Sequence, residues 1–195
     1  MNKKELRIKY KALRQQLTPE KVDTMSLLIA NNILHLNTRS LNCDFWDNTY
    51  FHLFITIKEQ MEVETEFILH VLAGKDKEIV VSKSNFGTVE MTNFLLTDAT
   101  KFKKNNYNIF EPTNGLEVPN ERIDVVFIPL LAYDKKGNRV GYGKGFYDAF
   151  LSKCKKEVIK IGLSFFDPEE QIDDVSDSDI KLHYCITPTT MHSFL

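Results

Sequence analysis

The segment that most limits the fold is an apolar run at residues 123–128, which ends at Pro129. A run of this length, rich in Val and Ile and closed by proline, is typical of a strand that is buried on both faces of a sheet. A glycine-rich turn over residues 141–145 follows, and a helix is predicted over residues 145–155. Strand, turn and helix in this order indicate one unit of an open α/β sheet.

The rest of the chain alternates in the same way. Helices are predicted over residues 3–17, over a second segment that Thr18 caps and Pro19 opens, and over residues 64–73. Strands are predicted over residues 50–57, 79–82, 91–96, 158–165 and 184–187, while residues 97–120 and 167–179 are expected to be mostly loop. The pattern favours the α/β class, with one domain over residues 1–195. Its expected form is a three-layer sandwich of a mostly parallel sheet with helices on both faces.

The composition disfavours several classes of partner. With 25 basic against 27 acidic residues the formal net charge is −2, so binding to nucleic acid or to an anionic membrane is not expected. The N-terminus is charged and lacks the apolar stretch of a signal peptide, so we expect a cytoplasmic protein, and also a monomer. Cys43, Cys154 and Cys185 form no CxxC pair and are predicted to be buried thiols. The five histidines are scattered, and structural or surface roles are expected for them.

The turn after the apolar strand combines groups that bind anions. Glycines let backbone N–H groups approach phosphate oxygens, a helix N-terminus adds unpaired donors, and Arg139 and Lys144 supply positive charge. Asp148, in the first turn of the predicted helix, is a candidate magnesium ligand. The spacing matches neither the dinucleotide-binding nor the Walker fingerprint. A surface turn, with Asp148 compensating the helix dipole, is the alternative, so these residues alone predict anion binding and no more.

The same segment resembles the signature of the 5-formyltetrahydrofolate cyclo-ligase family. The family pattern is a strand, a proline, an aromatic-Asp pair, a glycine, an arginine and then alternating glycines before an aromatic-Tyr-Asp run. The matching elements in this chain are Pro129, the Tyr133-Asp134 pair, Gly137, Arg139 and residues 141–148. Phe146 stands where the family usually has tyrosine, which removes a hydroxyl and keeps the ring.

A second block near the N-terminus is also similar to the family. Lys3 and Arg7 lie in the sequence KKELR, and the resemblance implies that both contact ATP. Because they are four residues apart, a helix places them on one face. A solvated basic stripe is the alternative for this block. Lys11 and Arg14 have no counterpart in the family pattern and are expected to be solvated.

A third block, EVETE at residues 62–66, is similar to the family's acidic segment. The resemblance implies that its middle acid, Glu64, lines the folate pocket. The resemblance also implies a second contact a few residues earlier, where the chain carries an insertion, and Glu59 is the candidate for it. Capping of the following helix is the alternative for an acidic helix start.

Taken together, the resemblance implies ATP and Mg²⁺ as cofactors and a reduced folate as the substrate. The implied catalytic residues are Arg139, Lys144 and Tyr147, and the implied metal ligands are Asp148 and Asp179. The implied ATP contacts are Lys3, Arg7, Arg139, Gly141, Tyr142, Gly143, Lys144, Gly145, Phe146 and Tyr147. The implied folate contacts are Glu59, Glu64, Tyr142, Gly143, Lys144, Gly145 and Phe146.

The activity that the resemblance implies is a C–N ligase reaction. ATP phosphorylates the formyl oxygen of 5-formyltetrahydrofolate, nitrogen 10 closes the ring, and 5,10-methenyltetrahydrofolate, ADP and phosphate are released. Three alternatives stay open from the sequence. They are a non-catalytic relative that binds folate or nucleotide, a different phosphoryl-transfer enzyme, and a nucleic-acid-binding module.

Overall fold

The computed structural model describes residues 1–36, 45–105 and 109–195. The helices in these residues are α1 (Lys3–Gln15), α2 (Pro19–Leu34), α3 (Glu66–Ala73) and α4 (Phe146–Leu151). α1 begins at a capping box, in which Asn2 and Glu5 each accept a hydrogen bond from the other's backbone N–H. Thr18 caps α2 and Pro19 opens it, as predicted. Among the described residues, no helix has both the length and the apolar character needed to cross a membrane.

The strands form one large sheet and two hairpins. They are β1 (Tyr50–His52), β2 (Glu78–Asn85), β3 (Glu90–Leu95), β4 (Phe102–Lys104), β5 (Phe110–Pro112), β6 (Val125–Pro129), β7 (Ala132–Tyr133), β8 (Arg139–Val140), β9 (Ile159–Leu163), β10 (Tyr184–Ile186) and β11 (Met191–Ser193). The large sheet has seven strands in the order β11-β10-β9-β6-β1-β2-β3. Its inner pairs are parallel and its two outer pairs are antiparallel. β4 pairs with β5, and β7 pairs with β8.

The side chains of β6 show how the sheet is covered. Val125 and Phe127 pack into a core that includes residues of α2 and α3. Val126 and Ile128 point to the other face, where they pack with residues of α4. Successive residues of a strand face opposite sides, so β6 is buried on both faces. The predicted α/β sandwich, with a mostly parallel sheet and helices on both faces, is confirmed.

α1 lies beside the carboxyl ends of the strands. Its residues Leu6 and Tyr10 are buried against a small cluster that includes Val140 of β8. The packing of Leu6 and Tyr10 fixes the orientation of α1. Lys3 and Arg7, on the neighbouring face of the helix, therefore lie at the carboxyl ends of the strands. The side of α1 that carries Lys3 and Arg7 is therefore held in place by core packing.

Some predicted boundaries are wrong. The strand predicted over residues 50–57 ends at His52. The Leu53 N–H still donates to the Val80 carbonyl, and after this bond the chain leaves the sheet. The helix predicted over residues 145–155 ends at Leu151. Its last turn tightens through bonds between residues three apart, which frees the chain to enter β9. The helix predicted from residue 64 begins two residues later, at Glu66.

The segment at residues 97–120, predicted to be mostly loop, also contains the short strands β4 and β5, which pair with each other. Glu111 of β5 is buried and accepts a hydrogen bond of 2.9 Å from the backbone N–H of Ser84 in β2. This bond ties the hairpin to β2 of the large sheet. Of the three cysteines, Cys185 is buried and Cys154 is half-buried, while Cys43 lies outside the described residues.

Candidate active site

A cavity of about 460 Å³ opens at the carboxyl ends of β6, β1 and β2. Pro129 at the end of β6, His52 at the end of β1, and Ser82 and Ser84 of β2 border it. The strand order reverses at this point, because β2 lies on one side of β1 and β6 lies on the other. Open α/β sheets bind ligands at such a switch point, so the fold itself indicates this cavity as the site.

The glycine turn, residues 141–145, forms one side of the cavity. Gly143 has φ +90° and Gly145 has φ +76°, in the left-handed region that favours glycine. A Cβ atom on Gly143 would lie 3.2 Å from the guanidinium carbon of Arg7. Arg7 Nε donates to the carbonyl oxygen of Gly141 at 2.9 Å. Glycine therefore permits both the shape of the turn and the close approach of Arg7.

The turn wall, which we define as residues 139–148 with Lys3 and Arg7, carries the positive charge of the cavity. Lys3 Nζ lies 2.5 Å from Asp179 Oδ2. Lys144 is exposed and forms no ion pair with any residue that the structure describes. Unengaged charge beside further cations suits a ligand that carries several negative charges, such as a polyphosphate.

Arg139 is held from two sides. Its Nη2 donates to Asp148 Oδ1 at 2.7 Å, and its Nη1 donates to the backbone carbonyl of Ile180. The same Asp148 oxygen accepts from the N–H of Ile180 at 3.0 Å. A buried guanidinium without an acid would be costly, so one role of Asp148 is to keep Arg139 in place.

A hydrogen-bonded chain runs beneath the turn wall from Arg14 to Glu62. Arg14 Nη1 donates to the Tyr142 hydroxyl at 2.9 Å, and Nη2 donates to the Leu130 carbonyl at 2.6 Å. The Tyr142 hydroxyl donates to Glu62 Oε1 at 2.7 Å, and Oε2 accepts from the Ile57 N–H at 2.8 Å. The prediction that Arg14 is solvated is wrong, because its side chain is 4% exposed and satisfies two buried acceptors.

Glu62 borders the cavity, whereas Glu59 and Glu64 do not. Those two line a neighbouring recess, where Glu64 lies 3.6 Å from Lys58 Nζ and Glu59 lies 3.3 Å from Lys104 Nζ. Met61, in a left-handed conformation with φ 48°, reverses the chain between them. Glu62 consequently turns inward and is 2% exposed. The structure thus brings Glu62, the first acid of EVETE, to the glycine turn, and not Glu64.

Burial raises the pKa of Glu62 above its ordinary value. The Ile57 N–H, the Tyr142 hydroxyl and the charge of Arg14 act in the opposite direction. A buried carboxyl group in this environment is a hydrogen-bonding partner of fixed orientation. It is suited to N–H groups of a ligand in the cavity.

His52 begins a second buried hydrogen-bonded chain. Its Nε2 lies 2.7 Å from the Ser82 hydroxyl, which donates to Asn93 Oδ1 at 2.7 Å. Asn93 Nδ2 donates to Asn120 Oδ1 at 2.6 Å. Burial lowers the pKa of His52 to about 3, so the imidazole is neutral at physiological pH. We call the side of the cavity formed by His52, Ser82 and Glu62 the strand wall.

Two aromatic residues after the glycine turn complete the cavity. The Phe146 ring packs 5.1 Å from that of Phe86, between ring centroids, and both border the cavity. The Tyr147 ring lies 6.0 Å from His52 and 6.2 Å from Phe150. Burial, followed by the nearby charge of Glu62, raises the pKa of Tyr147, so its hydroxyl stays protonated. These rings offer flat apolar surface on the turn wall, next to His52 of the strand wall.

Asp148 of the turn wall and Asp179, which also borders the cavity, suit magnesium only in part. Asp148 Oδ1 is engaged by Arg139, whereas Oδ2 forms no hydrogen bond to any residue that the structure describes, and the side chain is 35% exposed. One such oxygen fits Mg²⁺ that takes phosphate oxygens as further ligands. Asp179 Oδ2 accepts instead from Lys3 and from the Ser176 N–H. Within the described parts of the chain, no cluster of three or more His, Cys, Asp or Glu side chains could hold a metal by itself.

Most of the residues predicted for the site meet in this cavity. Those that border it are Lys3, Arg7, Arg139, residues 141–148 and Asp179. The sequence predictions missed His52, Glu62 and Ser82. A polar residue inside the apolar segment YFHLFITI was the available signal for His52. Nothing in the sequence indicated Ser82, because only the pairing of β1 with β2 places it beside His52.

Comparison with known proteins gives matches along most of the chain. Residues 1–188 match the model of the 5-formyltetrahydrofolate cyclo-ligase family. The mouse 5-formyltetrahydrofolate cyclo-ligase is 29% identical over 160 residues, which are 78% of this chain and 74% of the mouse protein. The Haemophilus influenzae 5-formyltetrahydrofolate cyclo-ligase is 35% identical over 109 residues, which are 53% of this chain and 58% of that protein.

Solved structures agree with the sequence matches. The NMR structure of Aquifex aeolicus 5,10-methenyltetrahydrofolate synthetase has a TM-score of 0.82 and 26% identity, and the match covers 100% of this chain and 93% of that chain. The Mycoplasma pneumoniae 5,10-methenyltetrahydrofolate synthetase, with a TM-score of 0.74 and 20% identity over 96% of this chain and 99% of that chain, has the same fold. The similarity therefore extends well beyond the glycine turn.

Proposed function

Because the chain belongs to the 5-formyltetrahydrofolate cyclo-ligase family, we propose that it is an ATP-dependent ligase that closes 5-formyltetrahydrofolate to 5,10-methenyltetrahydrofolate. The observation that carries the proposal is a cavity that the cationic turn wall and the strand wall line together. The turn wall suits a triphosphate, and the strand wall with the adjacent rings suits a flat heterocycle that carries N–H donors. A non-catalytic relative is not favoured, because Arg139, Lys144, Tyr147 and Asp148 all border the cavity.

The turn wall binds ATP and neutralises its charge. Lys144, which has no ion-pair partner among the described residues, contacts the transferred phosphoryl group. Arg139 adds a charge whose position is fixed by Asp148. Lys3 and Arg7 of α1 hold the rest of the triphosphate beside the glycine turn. Phosphoryl transfer needs mainly this kind of positioning and charge stabilisation, so no nucleophilic side chain is required.

The strand wall binds the reduced folate, with Glu62 rather than Glu59 or Glu64 as its acidic contact. The formyl oxygen attacks the γ-phosphorus, and the new O–P bond forms as the bond to ADP breaks. Nitrogen 10 then attacks the formyl carbon and loses its proton, and the C–O bond breaks as phosphate leaves. Phe146 and Tyr147 pack against the substrate and exclude water from the activated carbon.

Magnesium accompanies ATP, and Asp148 Oδ2 is the protein oxygen that would contact it. When bound, the ion would neutralise phosphate charge and orient the transferred group. Asp179 is a weaker candidate as a ligand, because Lys3 and the Ser176 N–H already engage one of its oxygens.

The test is turnover of 5-formyltetrahydrofolate by the purified protein, with and without ATP and Mg²⁺. The expected result is methenyl product, detected by its absorbance, with one ADP released per product and none formed without ATP. ATP binding without methenyl product would favour the non-catalytic relative. ADP release that needs a different acceptor would show another phosphoryl-transfer enzyme.

A further inference from the structure

His52 has a defined proton arrangement, because the hydrogen-bonded chain behind it has a direction. Asn93 Nδ2 faces two acceptors, the Val118 carbonyl at 3.4 Å and Asn120 Oδ1 at 2.6 Å. Since a backbone carbonyl cannot donate, this side of the Asn93 amide is its NH₂ group and the other side is its oxygen. The Ser82 hydroxyl must therefore donate to Asn93 Oδ1.

A hydroxyl group has a single proton, so Ser82 has none left for His52. The Ser82 oxygen consequently accepts from His52 Nε2, which must carry the imidazole proton. A neutral imidazole has one N–H, and the proton on Nε2 leaves Nδ1 as a bare acceptor. The low pKa of His52 agrees with a neutral ring.

The acceptor at Nδ1 is buried and has no hydrogen-bond partner among the residues that the structure describes. His52 is 0% exposed and borders the cavity at the centre of the sheet. Buried polar atoms are almost always hydrogen-bonded in folded proteins, and the exceptions tend to serve a function. His52 therefore offers an unpaired acceptor beside the substrate cavity, and a ligand donor reaches it once the side chains that cover Nδ1 move aside.

We propose that His52 Nδ1 accepts a hydrogen bond from an N–H group of the reduced folate, and that Ser82 and Asn93 hold the imidazole in the required tautomer. The inference rests on the proposed function and assigns a substrate-binding residue to it. Phosphate oxygens cannot be the partner, because they are acceptors themselves. The ring nitrogens and amino group of a reduced pterin carry N–H donors, and His52 lies on the strand wall with Ser82 and Glu62.

Two substitutions at His52 separate the roles of its two nitrogens. The amide NH₂ of His52→Gln can reach Ser82 in place of Nε2, but the variant has no acceptor where Nδ1 lies. The shorter His52→Asn places an oxygen near Nδ1 and loses the bond to Ser82. The Kd of 5-formyltetrahydrofolate, measured by calorimetry without ATP, is expected to rise about 5- to 10-fold in the Gln variant and less in the Asn variant.

His183→Gln is the matched control. His183 also has a buried Nδ1 without a partner among the described residues, but it does not border the cavity. Its substitution should leave the Kd for folate and the KM for ATP unchanged. Wild-type binding by His52→Gln, a weaker affinity in His52→Asn than in His52→Gln, or an effect on ATP alone would overturn the assignment. Absence of methenyl product from the wild-type protein would instead contradict the proposed function.

A spectroscopic measurement on the unaltered protein avoids any dependence on variants that fold poorly. The ¹⁵N chemical shifts of His52 should show a protonated Nε2 and an unprotonated Nδ1. Addition of 5-formyltetrahydrofolate should shift Nδ1 in the direction of an accepted hydrogen bond, whereas ATP alone should not. Ser82→Ala should mix the two tautomers and Ser82→Thr should restore one. A protonated Nδ1, or no response to folate, would contradict the inference.

Discussion

The turn wall and the strand wall of the cavity are built in opposite ways. The turn wall comes mainly from one continuous stretch of ten residues, 139–148. Lys144 is exposed, Lys3 and Arg139 are each paired with one acid, and Arg7 bonds to a backbone carbonyl. The strand wall brings together His52, Glu62 and Ser82 from separate segments, and buried hydrogen bonds fix each of them. The charges of the turn wall can therefore be recognised in one short stretch of sequence. The hydrogen bonds of the strand wall depend on tertiary structure, because their partners come from separate segments.

This difference separates the expected kinetic effects of substitutions. A change on the turn wall should lower kcat or raise the KM for ATP, because it alters charge around the transferred phosphate. A change on the strand wall should raise the KM for folate and leave that for ATP alone. A turn-wall substitution that raised only the KM for folate, or a strand-wall substitution that raised only the KM for ATP, would contradict this comparison.

The largest effect is expected for Lys144→Ala, which removes the unengaged charge of the turn wall. A preorganised group that stabilises developing charge contributes about 100- to 1000-fold, so kcat/KM should fall by about that factor. Steady-state kinetics with ATP varied is the measurement. Lys156→Ala, an exposed lysine outside the cavity, is the control and should behave as wild type. A loss below about 5-fold would remove Lys144 from the proposed mechanism.

Asp148→Asn should lower kcat by about 10- to 100-fold, since a charge-assisted contact is replaced by a neutral one. The amide oxygen can still accept from Arg139, but it no longer neutralises that buried charge or attracts Mg²⁺. The Mg²⁺ concentration for half-maximal rate should rise. Asp177→Asn, in an exposed loop, is the control. A lower kcat with an unchanged Mg²⁺ requirement would leave Asp148 only its role in holding Arg139.

On the strand wall, Glu62→Gln should raise the KM for folate about 10-fold with the KM for ATP unchanged. Glutamine keeps one acceptor oxygen, so it cannot serve both the Ile57 N–H and the Tyr142 hydroxyl as the carboxylate does. Glu64→Gln decides between the two assignments of the EVETE block. A larger rise in Glu64→Gln than in Glu62→Gln would restore the sequence-based prediction and contradict the strand wall as defined here.

The smallest effect is expected for Asp179→Asn. Burial opposes ionisation of Asp179, but Lys3 and the Ser176 N–H outweigh it, so the pKa lies below its ordinary value and the acid is charged. Asparagine would release Lys3 toward ATP, and the KM for ATP should fall about 2- to 3-fold, the size of a partly exposed ion pair. A higher Mg²⁺ requirement would instead show that Asp179 is a metal ligand.

The fold and the turn wall could be predicted because their signals are local. The apolar run of β6, the glycine spacing and the cations of α1 each occur within one short segment. The strand wall could not be predicted, since Ser82 meets His52 only through the register of β1 and β2. Glu62 was missed because the left-handed turn at Met61, and not the order of the acids, decides which one faces inward.

Arg14 was missed for a related reason. Arg14 lies four residues after Tyr10, beside the apolar stripe of α1, and the helix lies against the edge of the sheet, where the Leu130 carbonyl and the Tyr142 hydroxyl need donors. Periodicity reports which face of a helix is apolar, and it gives no information about isolated acceptors on the structure that the helix meets. Buried cations of this kind become predictable only when the packing partner is known.

The backbone of Tyr142 is part of the glycine turn that is expected to bind phosphate. Its hydroxyl donates a hydrogen bond to Glu62 of the strand wall. A nucleotide that shifts this backbone would move the Tyr142 side chain, and with it the hydrogen bond to Glu62. The affinity for folate would change as a result. The two substrates are then thermodynamically linked, and reciprocity requires each to alter the other's affinity by the same factor. Calorimetric titrations of one ligand in the presence and absence of the other would measure this heterotropic coupling, and Tyr142→Phe should abolish it.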